Sequence, residues 1–282
     1  MDWNNYDYVI KKVNINGYNL RKASNRLKNN YEIVLTAVKN NAYSFQYASR
    51  KLKNNYDIAL IAIQNNNYVF KYISNDLKNN YDIVLIGVKN NGYNLQYASD
   101  ILKKNYNIVL NAVMNKGDSI QYASNELKAN YNIALNAVKN IGNSLKYIDE
   151  NLRDNYEIVL EAVKNNGYIL EYASNTLKNN YNIIWYAVNF NILIIRYAHK
   201  NFINNRKNMN KLLKNYFDLN YFKLNKYELD INITYEKICK MDREIFKLYY
   251  TYFTLIYYYN IDYKYNMFNI NISNIKHILK FF

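Results

Sequence analysis

The chain of 282 residues contains no proline, one cysteine (Cys239), two histidines (His199 and His277) and six glycines. A single cysteine excludes an intramolecular disulfide, and no charged segment followed by an apolar signal segment opens the sequence, so an intracellular, cytoplasmic location is predicted. So few histidines and cysteines indicate neither a metal cluster nor a Cys/His nucleophile. The dispersed glycines form no phosphate-binding loop. We therefore expect a protein that is not an enzyme and uses no cofactor.

Long apolar segments are also missing. The longest uncharged apolar and aromatic run, Leu248 to Tyr259, is far shorter than the roughly 20 residues needed to cross a membrane, so no membrane contact is predicted. Half of the residues are nevertheless hydrophobic. That is enough for a sizeable core in one or two domains, and disorder is not expected.

The formal charge of +15 makes nucleic acid or an acidic partner a candidate ligand. The excess of positive charge is uneven along the chain. Residues 1–53 carry ten Lys/Arg against three Asp/Glu, residues 54–201 carry fourteen against twelve, and residues 202–282 carry thirteen against seven. Any electrostatic attraction of a polyanion is therefore expected at the ends of the chain.

The dominant feature is a repeat of 25 residues without insertion or deletion. We number the unit from Leu27 as position 1, which recurs at Leu52, Leu77, Leu102, Leu127, Leu152 and Leu177. With a divergent first copy from Asp2, eight units end at Asn201. So short a unit cannot bury its own apolar face, and a strict short period is typical of a solenoid. The predicted fold is an all-α solenoid over residues 1–201, followed by a helical capping region over residues 202–282.

Two antiparallel helices per unit are predicted. Position 4 is Asn in every unit, a favoured N-cap residue, and apolar residues follow at positions 5, 8, 9 and 12, on one face of a first helix. Ile at position 7 and Ala or Gly at position 11 widen that face and allow close helix contact. Position 16 is Gly in five units, which is typical of the left-handed residue that ends a helix. A second helix is then expected from about position 18 to position 2 of the next unit.

Beyond Asn201 the repeat is lost, and three helices of a cap are predicted from apolar spacing. The first contains Met209, Leu212, Leu213, Tyr216 and Phe217, the second runs from Tyr235 to about Tyr259, and the last contains Ile275, Ile278, Leu279 and Phe282. The second has a seven-residue pattern whose flanking positions mostly lack charges. We therefore favour a helix buried against the end of the array over a dimer zipper.

Two rows of recurring residues have both a structural and a functional interpretation. Position 2 is basic in seven units, which would suit a line along a nucleic-acid backbone or a cation near a helix C-terminus. Position 5 is Tyr in all eight units and position 21 in seven, which would suit base stacking or packing with an exposed hydroxyl. We favour the structural interpretation of the basic row because acidic residues at position 6 follow four residues later in most units and cancel the local field. We favour the structural interpretation of the tyrosine rows because they are so regular.

Position 10 varies where its neighbours do not. A helix face opposite the apolar stripe places it at the surface, and variable side chains on a fixed frame favour recognition of a protein or peptide, although unconstrained exposure would produce the same pattern. The predicted partner-binding residues are Thr36, Ile61, Ile86, Asn111, Asn136, Glu161 and Tyr186, after Lys11 in the first unit.

The pattern "LKNNYDIVLIGVKNNGYNLQYASD", with its aliphatic "IVL.AV" core, "NNG" and "L.YAS..LK" segments, resembles the tandem repeat called domain of unknown function 4116, found in large DNA viruses and protists. The likeness covers nearly all of residues 2–201. It implies a helical repeat and no active site, and it makes a viral or protist origin plausible, with the host cytoplasm as the location if viral. Together these features predict an interaction scaffold for a protein or peptide, with a solenoid for single-stranded nucleic acid as the alternative.

Overall fold

The computed structural model of the chain describes residues 2–205, 207–209, 211–212 and 215. By its contacts the chain divides into two units, Met1–Asn205 and Arg206–Phe282. Every regular element of the described residues is helical, and consecutive repeats contact each other, so the predicted all-α solenoid is confirmed. Of the predicted cap, residues 207–209 and 211–212 are helical and Met209 and Leu212 are buried. The other residues predicted for the cap lie outside the described residues.

Each unit contains three helical segments, where the sequence predicted two. The first is an α-helix, called helix A, at Tyr6–Ile15, Tyr31–Asn40, Tyr56–Asn65, Tyr81–Asn90, Tyr106–Asn115, Tyr131–Asn140, Tyr156–Asn165 and Tyr181–Val188. The second is a 3-10 helix, called helix B, at Gly17–Lys22, Ala42–Tyr47, Asn67–Tyr72, Gly92–Tyr97, Gly117–Tyr122, Gly142–Tyr147, Gly167–Tyr172 and Ile192–Tyr197.

The third segment, called helix C, is a single turn that leads into the next unit. It is α-helical at Asn25–Lys28, Arg50–Lys53, Asn75–Lys78, Asp100–Lys103, Asn125–Lys128 and Lys200–Asn204, and 3-10 at Glu150–Asp154 and Leu177–Asn179. An extended residue pair separates helix B from helix C, as at Ala48 and Ser49. The predicted second helix is therefore wrong as a continuous element.

Three N-caps explain the three segments. The position 4 side chain accepts a hydrogen bond from the main-chain N–H of position 7, as Asn30 does from Ile33 at 3.1 Å, which confirms the predicted start of helix A. Where position 15 is Asn, its side chain caps helix B, as Asn41 does by accepting from the N–H of Tyr43 at 3.0 Å, whereas Lys116 and Ile141 make no such bond. A serine at position 23 caps helix C in most units. Most of the short segments thus begin at a capping residue of their own, because the first amides of a helix have no partner within it.

Helix A does not end at a left-handed glycine. Its last residue is at position 14 in most units, position 15 is extended, and none of the six glycines has a positive φ, so that prediction was wrong. Glycine at position 16 is the first residue of helix B and allows a close approach instead. A Cβ on Gly117 would lie 2.3 Å from the carbonyl oxygen of Ala137, on helix A of the next unit.

The core uses four of the six helix A positions predicted for the apolar face. Positions 7, 8, 11 and 12 are buried, as at Ile33, Val34, Ala37 and Val38, together with position 19 of helix B and positions 22 and 1. Position 9 is half-buried and the tyrosines of position 5 are mostly exposed. Helix A is buried at two adjacent pairs of positions because the repeat units stack, so that it has another helix A on one or both sides and helix B behind it.

Candidate interaction surfaces

The position 10 residues recur at the same place on successive helices A, which pack against one another. Tyr186 is 40% exposed and Lys11 is exposed, whereas the six residues between them are half-buried. This row consists of Thr36, Ile61, Ile86, Asn111, Asn136 and Glu161. The adjacent leucines of position 9 are also half-buried.

Local bonds occupy several polar members of this row. The amides of Asn111 and Asn136 each donate to the main-chain oxygen four residues earlier, at 2.8 Å. Glu161 pairs with Lys164 at 3.0 Å, and the ammonium of Lys164 lies 5.4 Å from the ring centre of Tyr186 in the next unit. The isoleucines and Thr36 remain as the apolar centre of the row, flanked by amides and a charged pair. That distribution suits a protein partner, whose interface core is depleted of charge.

The tyrosines of position 5 link neighbouring units at the rim. The hydroxyls of Tyr6 and Tyr131 donate to the carboxylates of Glu32 and Glu157, which are position 6 of the following unit. This hydrogen bond raises the pKa of both tyrosines above its ordinary value, because ionisation would place a phenolate beside a carboxylate. Position 5 therefore has an identified structural contact at these two units.

The tyrosines of positions 17 and 21 form the surface of helix B. Position 17 of one unit lies against position 21 of the next, as in the edge-to-face pair of Tyr18 and Tyr47, whose ring centres are 5.3 Å apart. Cations of position 20 lie over tyrosine rings, with Lys71 at 4.9 Å from the centre of Tyr72. Three further pairs of this surface are Arg21 with Tyr18, Lys146 with Tyr147 and Arg196 with Tyr197.

A cleft of about 400 Å³ opens in this tyrosine surface at units 3 to 5. Four tyrosines, three amide side chains and one cation line it, namely Tyr68, Lys71, Asn91, Tyr93, Asn94, Gln96, Tyr97 and Tyr122. Burial, and to a lesser extent the negative charge of nearby Asp118, raises the pKa of Tyr93 above its ordinary value. The ring faces and the single cation of this cleft suit a planar or anionic group, so it is the described surface best matched to a nucleic-acid base.

The basic residues of position 2 are half-buried at the end of helix C, and one of them, Arg153, reaches back to helix B. Arg153 donates to the main-chain oxygens of Ile148 and Lys146 at 3.0 and 3.1 Å, at the C-terminal end of the preceding helix B. Burial lowers the pKa of Lys53 and of Lys178. The helix-terminus interpretation thus has direct support at Arg153, but the carbonyls belong to helix B rather than to the segment that contains position 2.

A hydrogen-bonded asparagine joins units at four of the five junctions where position 16 is glycine; at the fifth, after Gly167, position 14 is Phe190. Asn140, at position 14 of unit 6, accepts from the N–H of Gly117 at 2.8 Å and donates to the main-chain oxygen of Met114 at 3.0 Å, both in unit 5. Asn40 and Asn115 make the same two bonds, and Asn165 makes the first. We call this contact the asparagine clamp. Sequence reasoning missed it, although the joint recurrence of Asn at position 14 and Gly at position 16 was a visible signal.

Within the described residues, no three His, Cys, Asp or Glu side chains come together in a way that could hold a metal ion. His199 caps the last helix C by accepting from the N–H of Asn201 at 3.2 Å. His277 and Cys239 lie outside the described residues. No helix found in the described part of the chain has the length and apolar character to cross a bilayer.

Comparison with known proteins adds a family assignment. The family model "Domain of unknown function (DUF4116)" matches four tandem segments, residues 5–53, 32–78, 80–128 and 130–178. These segments cover the repeats from helix A of the first unit to helix C after the seventh. No curated protein and no solved structure shows significant similarity to the chain.

Proposed function

The chain belongs to the family described as Domain of unknown function (DUF4116), and from the architecture of its repeats we propose that it is a non-catalytic scaffold that binds a protein or peptide. A stack of identical backbone turns holds side chains of one position at regular intervals on a common surface. Binding by such a surface needs no reacting group, only side chains that differ in a fixed order.

The observation that carries this proposal is the row at position 10. Its backbone and its neighbours at positions 9 and 11 are nearly invariant, whereas its side chains change from Thr36 through two isoleucines and two asparagines to Glu161 and Tyr186. An apolar centre with polar ends is the distribution expected of a protein-binding surface.

The experiment is a pull-down from cell lysate with the purified full chain, carried out with and without nuclease. The test variant carries Ala at Thr36, Ile61, Ile86, Asn111, Asn136 and Tyr186. The matched control carries Ala at six exposed residues of position 24 in the same stretch of repeats, Arg50, Asn75, Asp100, Asn125, Glu150 and Asn175. A protein retained after nuclease, bound by the control and lost by the test variant is the expected result. A protein bound equally by both variants would refute the assignment of the row.

The second candidate function is binding of single-stranded nucleic acid by the helix B surface. The tyrosine cleft at units 3 to 5 and the stacked cations favour it, because base stacking and positive charge are its two physical requirements. Affinity for a nucleic acid falls steeply with salt through counterion release. Recovery of RNA or DNA alone, lost at moderate salt and insensitive to the position 10 substitutions, would therefore replace the scaffold proposal.

The cellular location and biological role of this scaffold are proposed from sequence alone. Cys239 as the single cysteine supports a reducing, cytoplasmic location. The resemblance to repeats of large DNA viruses supports a role in host interaction or assembly. Fractionation of cells that express the tagged full chain would check the location.

A further inference from the structure

The asparagine clamp is missing at two consecutive junctions. Asn65 of unit 3 and Asn90 of unit 4 occupy position 14, as the clamping asparagines do. Neither side chain makes a hydrogen bond to any part of the described structure. Both are exposed. Two side-chain amides of the kind that bonds to main-chain groups at the clamped junctions thus make no such bond here.

The residue at position 16 explains the interruption. It is Ala42 before unit 3 and Asn67 before unit 4, where clamped junctions have glycine. A Cβ at the glycine position would lie only 2.1 to 2.5 Å from the next unit's carbonyl oxygen. Units that carry a Cβ there cannot approach as closely, and helix A packs less closely across these two junctions than across the clamped ones. The amide of Asn67 spans the gap with one long bond of 3.5 Å to the main-chain oxygen of Asn90.

The separation leaves a cleft of about 510 Å³ across units 2 to 4. Its lining is uncharged and consists mainly of amide side chains, namely Gln64, Asn65, Asn66, Asn67 and Asn90, with Tyr43, Tyr68 and Ile63. Tyr68, at 65% exposure, is the most exposed tyrosine of the described residues. The cleft shares only Tyr68 with the tyrosine cleft and, unlike it, is lined by neither a cation nor a carboxylate.

We propose that this cleft binds the main chain of an extended peptide segment through Asn65 and Asn90. A peptide unit offers one N–H and one carbonyl, and an asparagine side chain offers the matching acceptor and donor. The clamped junctions show the same side chain, at the same position, accepting from one main-chain N–H and donating to one main-chain carbonyl. At the two open junctions the bound peptide supplies those groups in place of the preceding unit.

The spacing of the two asparagines suits one short segment. Packed helices lie roughly 8–10 Å apart, and an extended chain advances roughly 3.3 Å per residue. About three residues therefore reach from Asn65 to Asn90 by these two values. Tyr43 and Tyr68 provide ring surfaces for side chains of the segment, and the neutral lining favours an uncharged sequence. This inference rests on the proposed peptide-binding function and names a site for it.

The test uses a displayed library of random linear dodecapeptides, selected against the full chain. The strongest selected peptide is then synthesised, and its Kd is measured for the wild type and for the double variant Asn65→Ala/Asn90→Ala. Loss of about four modest hydrogen bonds is expected to weaken binding about tenfold or more. N-methylation of the peptide amides, one at a time, is expected to abolish binding at one or two positions, because it removes a main-chain donor.

A second variant tests the cleft without removing its asparagines. Asn67→Gly restores the glycine of the clamped junctions, so we expect the clamp to form with Asn90, the melting temperature to rise and the peptide to be lost. The matched control, Asn115→Ala/Asn140→Ala, removes two clamps elsewhere and is expected to lower the melting temperature with the Kd unchanged.

Several results would overturn the inference. They are failure to select any peptide, an unchanged Kd for the Asn65→Ala/Asn90→Ala variant, and competition by poly(U) that the same variant abolishes. A selected peptide that is lost only with the position 10 substitutions would overturn the cleft and leave the scaffold proposal standing.

Discussion

Gly87 is the one glycine inside a helix A, and its substitution by alanine tests how closely this helix packs against helix B of the preceding unit. In six of the other seven helices A this position is Ala, and alanine ordinarily stabilises a helix interior by about 1 kcal/mol relative to glycine. At Gly87, however, an added Cβ would lie 2.2 Å from Cε2 and 2.5 Å from Cδ2 of Phe70, in helix B of the preceding unit. Carbon atoms in contact prefer about 3.5–4.0 Å.

The expected magnitude follows from two opposing terms. Overpacking a core costs about 1–3 kcal/mol, and Phe70 is fully buried, so its ring has little room to move. The gain in helix propensity offsets about 1 kcal/mol of this cost. Gly87→Ala is therefore expected to lower the free energy of unfolding by up to about 2 kcal/mol. Leucine lacks Cε2, the atom of closest approach, and its shorter side chain can turn away from the added Cβ. In a Phe70→Leu background the same substitution is therefore expected to raise the free energy of unfolding by up to about 1 kcal/mol.

Urea unfolding followed by far-ultraviolet circular dichroism measures all four members of this double-mutant cycle. A coupling free energy of about 1–3 kcal/mol with unchanged slopes is the expected result. Equal effects of Gly87→Ala in both backgrounds would refute the reasoning. Phe45 and Ala62 occupy the same two positions one junction earlier, so the array accepts this pair of residues there. Zero coupling would mean that the Phe70 ring can likewise take up another placement at little cost.

Three further predictions concern hydrogen bonds. Asn140→Ala removes two bonds of the clamp and is expected to lower the free energy of unfolding by about 1–3 kcal/mol in thermal melts. Ser99→Ala removes the cap of a helix C and is expected to cost about 0.5–2 kcal/mol in the same assay. Glu157→Gln is expected to lower the pKa of Tyr131 toward its ordinary value, because the hydrogen bond to that carboxylate is the main cause of the raised pKa. Carbon-13 resonances of ring-labelled tyrosine would follow this titration.

Each of these has a control. Asn65→Ala, at the clamp position without clamp bonds, is expected to change stability by less than about 0.5 kcal/mol, and an effect as large as that of Asn140→Ala would contradict the clamp. Tyr131→Phe identifies the resonance to be followed. Because the folded pKa of Tyr131 lies above its unfolded value of 10.0, the contribution of this tyrosine to stability is present below about pH 10 and is lost as pH rises through the folded value.

The sequence predicted the repeat, the start of helix A and the solenoid, because these depend on local chemistry. An Asn at position 4 of every unit marks an N-cap in any context, since the first amides of a helix need a partner whatever surrounds them. The same chemistry was present at positions 15 and 23. Had Asn41 and Ser49 been treated as caps like Asn30, three short segments per unit would have been predicted instead of two helices.

The candidate surfaces were less accessible to sequence reasoning. Position 10 was placed on helix A from periodicity, but its half-buried state depends on the neighbouring helix A, which a helical wheel of one segment does not contain. The asparagine at position 14 signals its contact only together with the glycine at position 16 of the preceding unit. Asn140 and Asn65 are the same residue at the same position, and the residue at position 16 of the preceding unit determines which of them bonds to it.

By itself, then, the sequence determined the period, the capped start of helix A and the apolar content of each unit, since these arise from groups close together in the chain. Three features were decided only by the tertiary structure. They are the close approach that requires glycine at position 16, the contact of Gly87 with the ring of Phe70, and the junctions at which the asparagine clamp forms. The reason is physical: these features depend on distances of a few ångströms between atoms of adjacent units, about 17 to 26 residues apart in the chain, and van der Waals contact and hydrogen bonding change over tenths of an ångström.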